Sequence, residues 1–216
     1  MSAFERWMES ARSRWDALRL HLNRLAPAPV SPDQLTTDDG AARWRALRAL
    51  MDRPSPGLLP QLMALTADAD PMVRAAAGDI LASWGPTAVL EPIHNALAQS
   101  PPPEQAAILL GVLTRLPDPA NRDVIQPWLA HEHDDVRAAA YMALAALCDD
   151  ADLSTLRQAL REGDPALQRA ILTTLCAPAA EPLAQRAADS RHPVLAPLGR
   201  QALARIQQQR DADSHD

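Results

Sequence analysis

Residues 73–81 read Val-Arg-Ala-Ala-Ala-Gly-Asp-Ile-Leu, and residues 136–144 repeat them as Val-Arg-Ala-Ala-Ala-Tyr-Met-Ala-Leu. Weaker copies of this segment begin at positions 42, 105, 167 and 195. The starting positions 42, 73, 105, 136, 167 and 195 are separated by 31, 32, 31, 31 and 28 residues. Chance does not readily align so many copies, so the chain is predicted to be built from internal repeats.

Each copy is predicted to be the second helix of an antiparallel helix pair. Val73, Ala77 and Ile80 are apolar at the spacing of one helix face, and the copy at 136–144 follows the same rule. Asp70-Pro71 and Asp164-Pro165 place an N-cap acceptor before a proline at the first helical position. The pattern therefore predicts helix starts at these two sites.

A shorter apolar segment precedes each copy and is predicted to be the first helix of its pair. Prolines separate the pairs, as in the Pro-Pro-Pro run at 101–103 and the Leu-Pro-Asp-Pro segment at 116–119. These breaks explain the 20 prolines of a helical chain. The predicted first helices cover residues 58–65, 88–97, 124–129, 153–160 and 182–187.

Composition narrows the class of partner. Of the 216 residues, 27 are acidic and 21 basic, giving a net charge of −6, which argues against binding to nucleic acid. Every basic residue is Arg, which excludes Schiff-base chemistry and a phosphate-loop lysine and suggests a GC-rich, bacterial source.

Cys148 and Cys176 are predicted to be reduced core thiols.

The chain is predicted to be soluble and cytoplasmic. Charged side chains are spread through its first 25 residues, so no signal peptide is visible. Its uncharged runs are too short or too broken by proline to cross a bilayer as an integral segment.

An opening Asp-Pro-x-Val-Arg-x-Ala-Ala in helix pairs of this length resembles the short HEAT-like repeats of the phycobilin lyase type. The resemblance covers roughly residues 38–210 and is strongest at 68–84 and 131–147. It implies an all-α fold, an α-solenoid or superhelix of about six HEAT-like helix pairs. It also implies that an Asp and the following Arg form a structural ladder between repeats. The ladder residues would be Asp70, Arg74, Arg137 and Arg43.

Four regions are predicted. Residues 1–25 form an amphipathic helix with Phe4, Met8, Trp15 and Leu18 on one seam. This helix either caps the first repeat, associates with itself or a partner, or lies on a membrane surface. Residues 26–40 form a Pro-rich linker, 41–210 the repeat solenoid, and 211–216 a polar tail.

No catalytic, cofactor or metal site is predicted. The one cluster with ligand chemistry is His-Glu-His-Asp-Asp at 131–135, which is predicted to be a solvated turn before a helix. The chain contains no Gly-x-Ser-x-Gly motif, phosphate loop or dinucleotide-binding glycine pattern.

The predicted function is a non-catalytic protein-protein interaction module: an adaptor, scaffold or assembly factor. The alternative is a bilin lyase-like enzyme, or a chaperone for a tetrapyrrole-bearing protein, which the resemblance implies. A partner polypeptide is predicted to bind the concave face lined by the second helices, although Leu110, Tyr141 and Leu172 are equally consistent with burial between repeats. The predicted partner-binding residues are Ala75, Asp79, Leu110, Ala138, Tyr141, Met142, Arg169 and Thr173.

Overall fold

The computed structural model describes residues 30–51 and 55–213, and this part of the chain is helical, without a β-strand. Short 3-10 helices at Pro56–Leu58, Gln126–Ala130 and Pro178–Ala180 adjoin three of the α-helices. The α-helices are α1 (Pro32–Thr36), α2 (Gly40–Met51), α3 (Leu59–Leu65), α4 (Pro71–Ser83), α5 (Pro86–Ala98), α6 (Pro103–Arg115), α7 (Asn121–Ile125), α8 (Asp134–Leu147), α9 (Leu153–Glu162), α10 (Pro165–Thr174), α11 (Glu181–Ala188) and α12 (Leu195–Asp213).

The predicted repeat is confirmed by the helix starts. The second helices α2, α4, α6, α8, α10 and α12 begin at residues 40, 71, 103, 134, 165 and 195. Successive starts are therefore 31, 32, 31, 31 and 30 residues apart. The all-α class of repeated helix pairs follows directly.

Two of these starts are fixed by the Asp-Pro pairs. Asp70 Oδ1 accepts a hydrogen bond from Met72 N at 2.8 Å. Asp164 Oδ1 accepts from Ala166 N and Leu167 N, both at 2.8 Å. The prolines that follow stand at the first helical position, where a missing N–H leaves nothing unsatisfied.

The chain forms two compact units, the first ending at Ile93 and the second beginning at His94. In unit 1, α2 packs on α4, and α1 contacts both α2 and α3. Leu35, Leu47 and Leu62 are fully buried there.

Helix α1 lies inside the segment predicted to be a linker. The N–H of Ser31 donates to Gln34 Oε1 at 2.9 Å, and Pro32 begins the helix. Leu35 anchors this single turn in the core because it is the one large apolar side chain of the segment 31–40. Residues 32–36 are therefore part of unit 1, and the second helix begins at Gly40.

In unit 2 the second helices lie side by side in chain order. Helix α6 packs on α8, α8 on α10, and α10 on α12, while α7, α9 and α11 each contact the second helix that follows. Val136, Ala140 and Leu144 form the buried stripe of α8, and small alanines elsewhere on α8 let its neighbours approach.

The first helix predicted at 124–129 is interrupted. Helix α7 ends at Ile125 and continues as the 3-10 helix Gln126–Ala130. Pro127 has no N–H to donate to an α-helical hydrogen bond, which accounts for the change. Trp128 in this segment is buried at 8% exposure.

Two of the predicted regions lie at the ends of the chain. The predicted N-terminal helix, residues 1–25, lies outside the described residues. The predicted polar tail begins as the last turn of α12, where Gln207 Nε2 donates to Asp211 Oδ1 at 2.7 Å. Over the described ranges, no helix combines the length and apolar character needed to cross a membrane.

Gly199 sets the contact between α11 and α12. A Cβ placed on it would lie 2.7 Å from the carbonyl carbon of Ala187 and 2.8 Å from the carbonyl oxygen of Ala184, and closer still to Ala188 N. These atoms are backbone and cannot move independently of α11. The two helices therefore approach as closely as they do because residue 199 lacks a side chain.

We predict that Gly199→Ala lowers the free energy of unfolding by about 2 kcal/mol, since the added methyl forces the helices apart. Gly111→Ala is the matched control, because a Cβ there meets no atom within 4 Å. It should raise stability by about 0.5–1 kcal/mol through helix propensity alone. Urea unfolding followed by circular dichroism at 222 nm measures both. Equal effects of the two substitutions would contradict the close approach at Gly199.

Candidate binding surface and the polar contacts behind it

The second helices of unit 2 leave one side partly uncovered. We call this the second-helix face. Its positions recur at fixed distances from the first residues of the repeated segments, 105, 136, 167 and 195, so neighbouring helices contribute to it in rows. It consists of Gly111 and Thr114 on α6, Ala138, Tyr141 and Met142 on α8, Arg169 and Thr173 on α10, and Arg200 and Gln201 on α12.

Exposure along this face increases toward α12. In one row, Gly111 and Met142 are half-buried, whereas Thr173 and Gln201 are exposed. Ala138, Tyr141 and Arg169 are also half-buried. Burial raises the pKa of the Tyr141 phenol, and the charge of Arg137 lowers it by less. Tyr141 therefore stays neutral and can donate a hydrogen bond.

Leu110 does not belong to this face. Leu110 and Leu172 are fully buried, so they pack inside unit 2. This agrees with the alternative of burial between repeats, which was left open for both residues. Ala75 and Asp79 lie on α4 in unit 1, where both are half-buried. Of the predicted set, Ala138, Tyr141 and Met142 lie on α8, and Arg169 and Thr173 lie on α10, which packs on α8. These residues are half-buried, except Thr173, which is exposed.

The predicted ladder arginines share one contact that the sequence did not suggest. Each donates from Nη1 to the carbonyl oxygen six residues earlier, in the turn before its own helix. The distances are 2.7 Å from Arg43 to Thr37, 2.7 Å from Arg74 to Asp68 and 2.9 Å from Arg137 to His131. These side chains therefore close the turns of their own repeats.

One of them also joins neighbouring repeats. The Arg43 guanidinium meets the carboxylate of Asp68 with Nη2 at 3.2 Å and Nε at 3.1 Å. Asp70 instead caps α4, so the carboxylate that contacts the preceding repeat is the one two residues before it.

Unit 2 contains a partly buried ion pair that was not predicted from the sequence. Arg122, at the start of α7, binds Asp152 through Nε at 3.1 Å and Nη2 at 3.0 Å, and Asp149 through Nη2 at 2.5 Å. Asp152 is only 2% exposed. The spacing of 30 residues between Arg122 and Asp152, close to one repeat, was the available signal.

Two further contacts link neighbouring repeats of unit 2. Asn121 Nδ2 donates to Leu116 O, so its Oδ1 accepts from His94 Nε2 at 2.7 Å. Arg205 on α12 donates to the carbonyls of Leu172 at 2.6 Å and Leu175 at 3.2 Å. Arg205 thereby supplies hydrogen-bond donors to carbonyl oxygens at the end of α10, which have no partner within the helix.

The two cysteines are free; Cys148 is buried and Cys176 is half-buried. Burial raises the pKa of the Cys148 thiol to about 12. Burial also raises the pKa of Cys176, although the charge of Arg205 opposes the change. Since thiolates are the reactive form, neither group is set up as a nucleophile.

The turn at 131–135 is held by ring and backbone contacts. The His131 ring lies 5.4 Å from both the Trp128 and His133 rings. His133 N donates to His131 Nδ1 at 3.2 Å. Within residues 30–51 and 55–213, no group of three or more His, Cys, Asp or Glu side chains is arranged to hold a metal ion.

We predict that Arg122→Met destabilises the protein by about 2–3 kcal/mol, because it leaves the buried Asp152 carboxylate without a counter-charge. Arg157→Met, on the exposed side of α9, removes the same charge and should change stability by about 0.5 kcal/mol or less. Urea midpoints at pH 7 measure the difference. An equal loss of stability in the two variants would show that the buried ion pair stabilises the protein no more than an exposed arginine does.

The effect of Arg122 is expected to fade in acid. Burial raises the pKa of Asp149, but the N–H of Ala151 and the charge of Arg122 lower it by more, so the net change is downward. A carboxyl with a lowered folded pKa adds stability above its unfolded pKa of about 4, and loses it as pH falls through the folded pKa. The part of the gap between wild type and Arg122→Met that comes from Asp149 should therefore be complete at pH 7 and shrink as pH falls below about 4, through the folded pKa of Asp149. Urea midpoints measured over a series of acidic pH values check this, and a gap that stays constant across the whole series would contradict the contribution of Asp149.

A family model described as HEAT repeats matches residues 33–108 and 90–176. Together these segments run from α1 to just beyond α10, and α11 and α12 continue the same packing after the match ends. The description is of HEAT repeats in general, so the phycobilin lyase type stays a resemblance. No curated protein matches the chain. HEAT repeats commonly mediate interactions between proteins and typically lack catalytic residues. Because the matched segments cover more than half of its 216 residues, this chain belongs to the HEAT-repeat family.

Proposed function

We propose that this protein is a non-catalytic binding module, an adaptor, scaffold or assembly factor, and that a partner polypeptide binds the second-helix face of unit 2. The observation that carries the proposal is the pairing of Tyr141 and Met142 on α8, half-buried among small side chains. Aromatic residues and methionine are enriched at the centres of protein interfaces.

The surroundings of this pair support the same assignment. Gly111 and Thr114 on α6 and Ala138 on α8 are small, so they leave room for a partner side chain to approach Met142. A surface of this kind suits the apolar side chain of a helix or an extended segment.

The first helices present a different surface. The exposed side of α9 carries Arg157, Gln158, Arg161 and Glu162, and Gln158 Nε2 donates to Glu162 at 2.9 Å. Interface centres are depleted of charged residues, because burying a charge is costly. This comparison favours the second-helix face over the first-helix side.

We predict that Met142→Arg and Tyr141→Glu each reduce capture of the native partner at least about tenfold, since either change places a charge at the interface centre. The bait is the full chain, used in its native cell extract, with bound polypeptides identified by mass spectrometry. Gln158→Arg and Gln158→Glu, on the opposite side, are the matched controls.

Unchanged capture by both face variants, in proteins whose circular dichroism and urea midpoint match the wild type, would falsify the assignment of the face. A purified complex that absorbs visible light would instead favour the alternative of a lyase-like protein or a chaperone for a tetrapyrrole-bearing protein.

A further inference from the structure

Few hydrogen bonds are available to a partner on the second-helix face. Thr114 Oγ1 donates to Leu110 O at 3.1 Å, and Thr173 Oγ1 donates to Ala170 O at 2.9 Å. Both hydroxyl protons are therefore used within their own helices. The other face positions on α6 and α8 carry glycine, alanine, tyrosine and methionine, of which only the Tyr141 hydroxyl can donate a hydrogen bond.

This shortage of donors limits the kind of segment that the face can hold. An extended segment presents backbone carbonyls along its whole length, and each carbonyl that is buried without a donor costs free energy. The backbone N–H groups of the second helices cannot supply these donors, because they are used within the helices. A partner α-helix satisfies its own backbone groups except at its ends. The face therefore favours a helical partner.

Arg200 makes one end of the face positive. It lies on α12 at the same position in its repeat as Tyr141 on α8, and it is exposed. Within the described part of the chain, no hydrogen bond or ion pair engages its side chain. Arg169 on α10 already has an interaction within the protein, so it is not available in the same way. Since no face position carries Asp or Glu, Arg200 favours a carboxylate on the partner.

The packing of the second helices sets the spacing that a partner helix needs. Helices α6, α8, α10 and α12 pack side by side, and packed helices are about 8–10 Å apart. A helix that crosses them advances about 1.5 Å per residue, so it passes from α6 to α8 in about six residues and from α8 to α12 in about twelve. Residues about seven and about eleven apart lie on one side of a helix, because a turn takes about 3.6 residues. The required contacts can therefore all come from one side of the partner.

We propose that the partner segment is an amphipathic α-helix that lies across α6, α8, α10 and α12. One apolar side chain contacts Tyr141 and Met142, and another, about seven residues earlier, lies over Gly111, where a Cβ would meet no atom within 4 Å. An Asp or Glu about eleven residues after the first contacts Arg200. The negative C-terminal end of the partner's helix dipole adds to the same attraction. This inference rests on the proposed function and specifies its partner.

The test uses fluorescein-labelled synthetic peptides and fluorescence anisotropy. The helical probe reads Ser-Gln-Leu-Ala-Gln-Ala-Ala-Gln-Gln-Leu-Ala-Gln-Ala-Ala-Gln-Gln-Ala-Ala-Gln-Ala-Glu-Ala-Gln-Ala. A lysine probe has Lys in place of Glu. A proline probe has Pro-Pro in place of the Gln-Gln pair that follows the second Leu, on the side of the helix away from the protein.

Wild type should bind the helical probe at least about tenfold more tightly than the proline probe, because proline breaks the helix without removing a contacting side chain. It should bind the lysine probe about three- to tenfold more weakly than the helical probe, since the contact at Arg200 is exposed. That second difference should decrease as salt is raised.

Charge reversal at Arg200 sharpens the test. Arg200→Glu should reverse the preference, so that the lysine probe binds more tightly than the helical probe. Arg157→Glu, on the exposed side of α9, makes the same change in net charge and should leave the preference unchanged. Met142→Arg should weaken both probes at least about tenfold. Thermal unfolding confirms that each variant is folded, and Arg200→Gln, which should make the two probes bind equally, replaces the reversal if that variant unfolds.

Three results would overturn the inference. They are no measurable binding of the helical probe, equal binding of the helical and proline probes, and a preference that Arg200→Glu leaves unchanged or that Arg157→Glu also reverses. If Met142→Arg still reduces capture of the native partner, the proposed function stands without the helical partner. Capture that neither Met142→Arg nor Tyr141→Glu affects would remove both.

Discussion

A helix pair as short as α9 and α10 cannot bury its own apolar side chains, and this constraint governs the whole molecule. Leu156, Ile171 and Leu172 are fully buried, although their two helices have only ten residues each. Each such side chain contributes about 1.5–3 kcal/mol when it leaves water. That stabilisation depends on neighbouring pairs, so the repeats fold together or not at all.

The same constraint determines which surface is available for binding. Packing between neighbouring second helices uses one set of positions in every repeat, and the positions left over form the second-helix face. Alanine and glycine at many of the packing positions let the helices approach closely, as Gly199 does between α11 and α12. A consequence is that the large apolar side chains on the face, Tyr141 and Met142, differ from the small side chains beside them.

Much of this fold was predictable because the repeated segments and their spacing are visible in the sequence. The Asp-Pro pairs at 70 and 164 start helices as expected, since N-caps act locally. Burial within one row was not predictable. Leu110, Tyr141, Leu172 and Arg200 occupy the same position in their repeats, yet two are buried, one is half-buried and one is exposed. The difference depends on how the neighbouring helices pack around each side chain, which the pattern of a single repeat does not contain. The linker was misjudged for a related reason, because one leucine in a polar segment is enough to hold a short helix.

The two kinds of arginine contact have different implications for how such an array changes in evolution. Arg43, Arg74 and Arg137 each close a turn within their own repeat, so this contact would survive the duplication, deletion or exchange of a unit. Arg122 and Asp152 belong to successive repeats, and Arg122 is the counter-charge of the buried Asp152 carboxylate. Inserting a unit between these two repeats would leave the buried Asp152 carboxylate without its counter-charge. An inserted or deleted unit is therefore expected to cost more stability at the junction between α7 and α9 than at a junction without a buried ion pair.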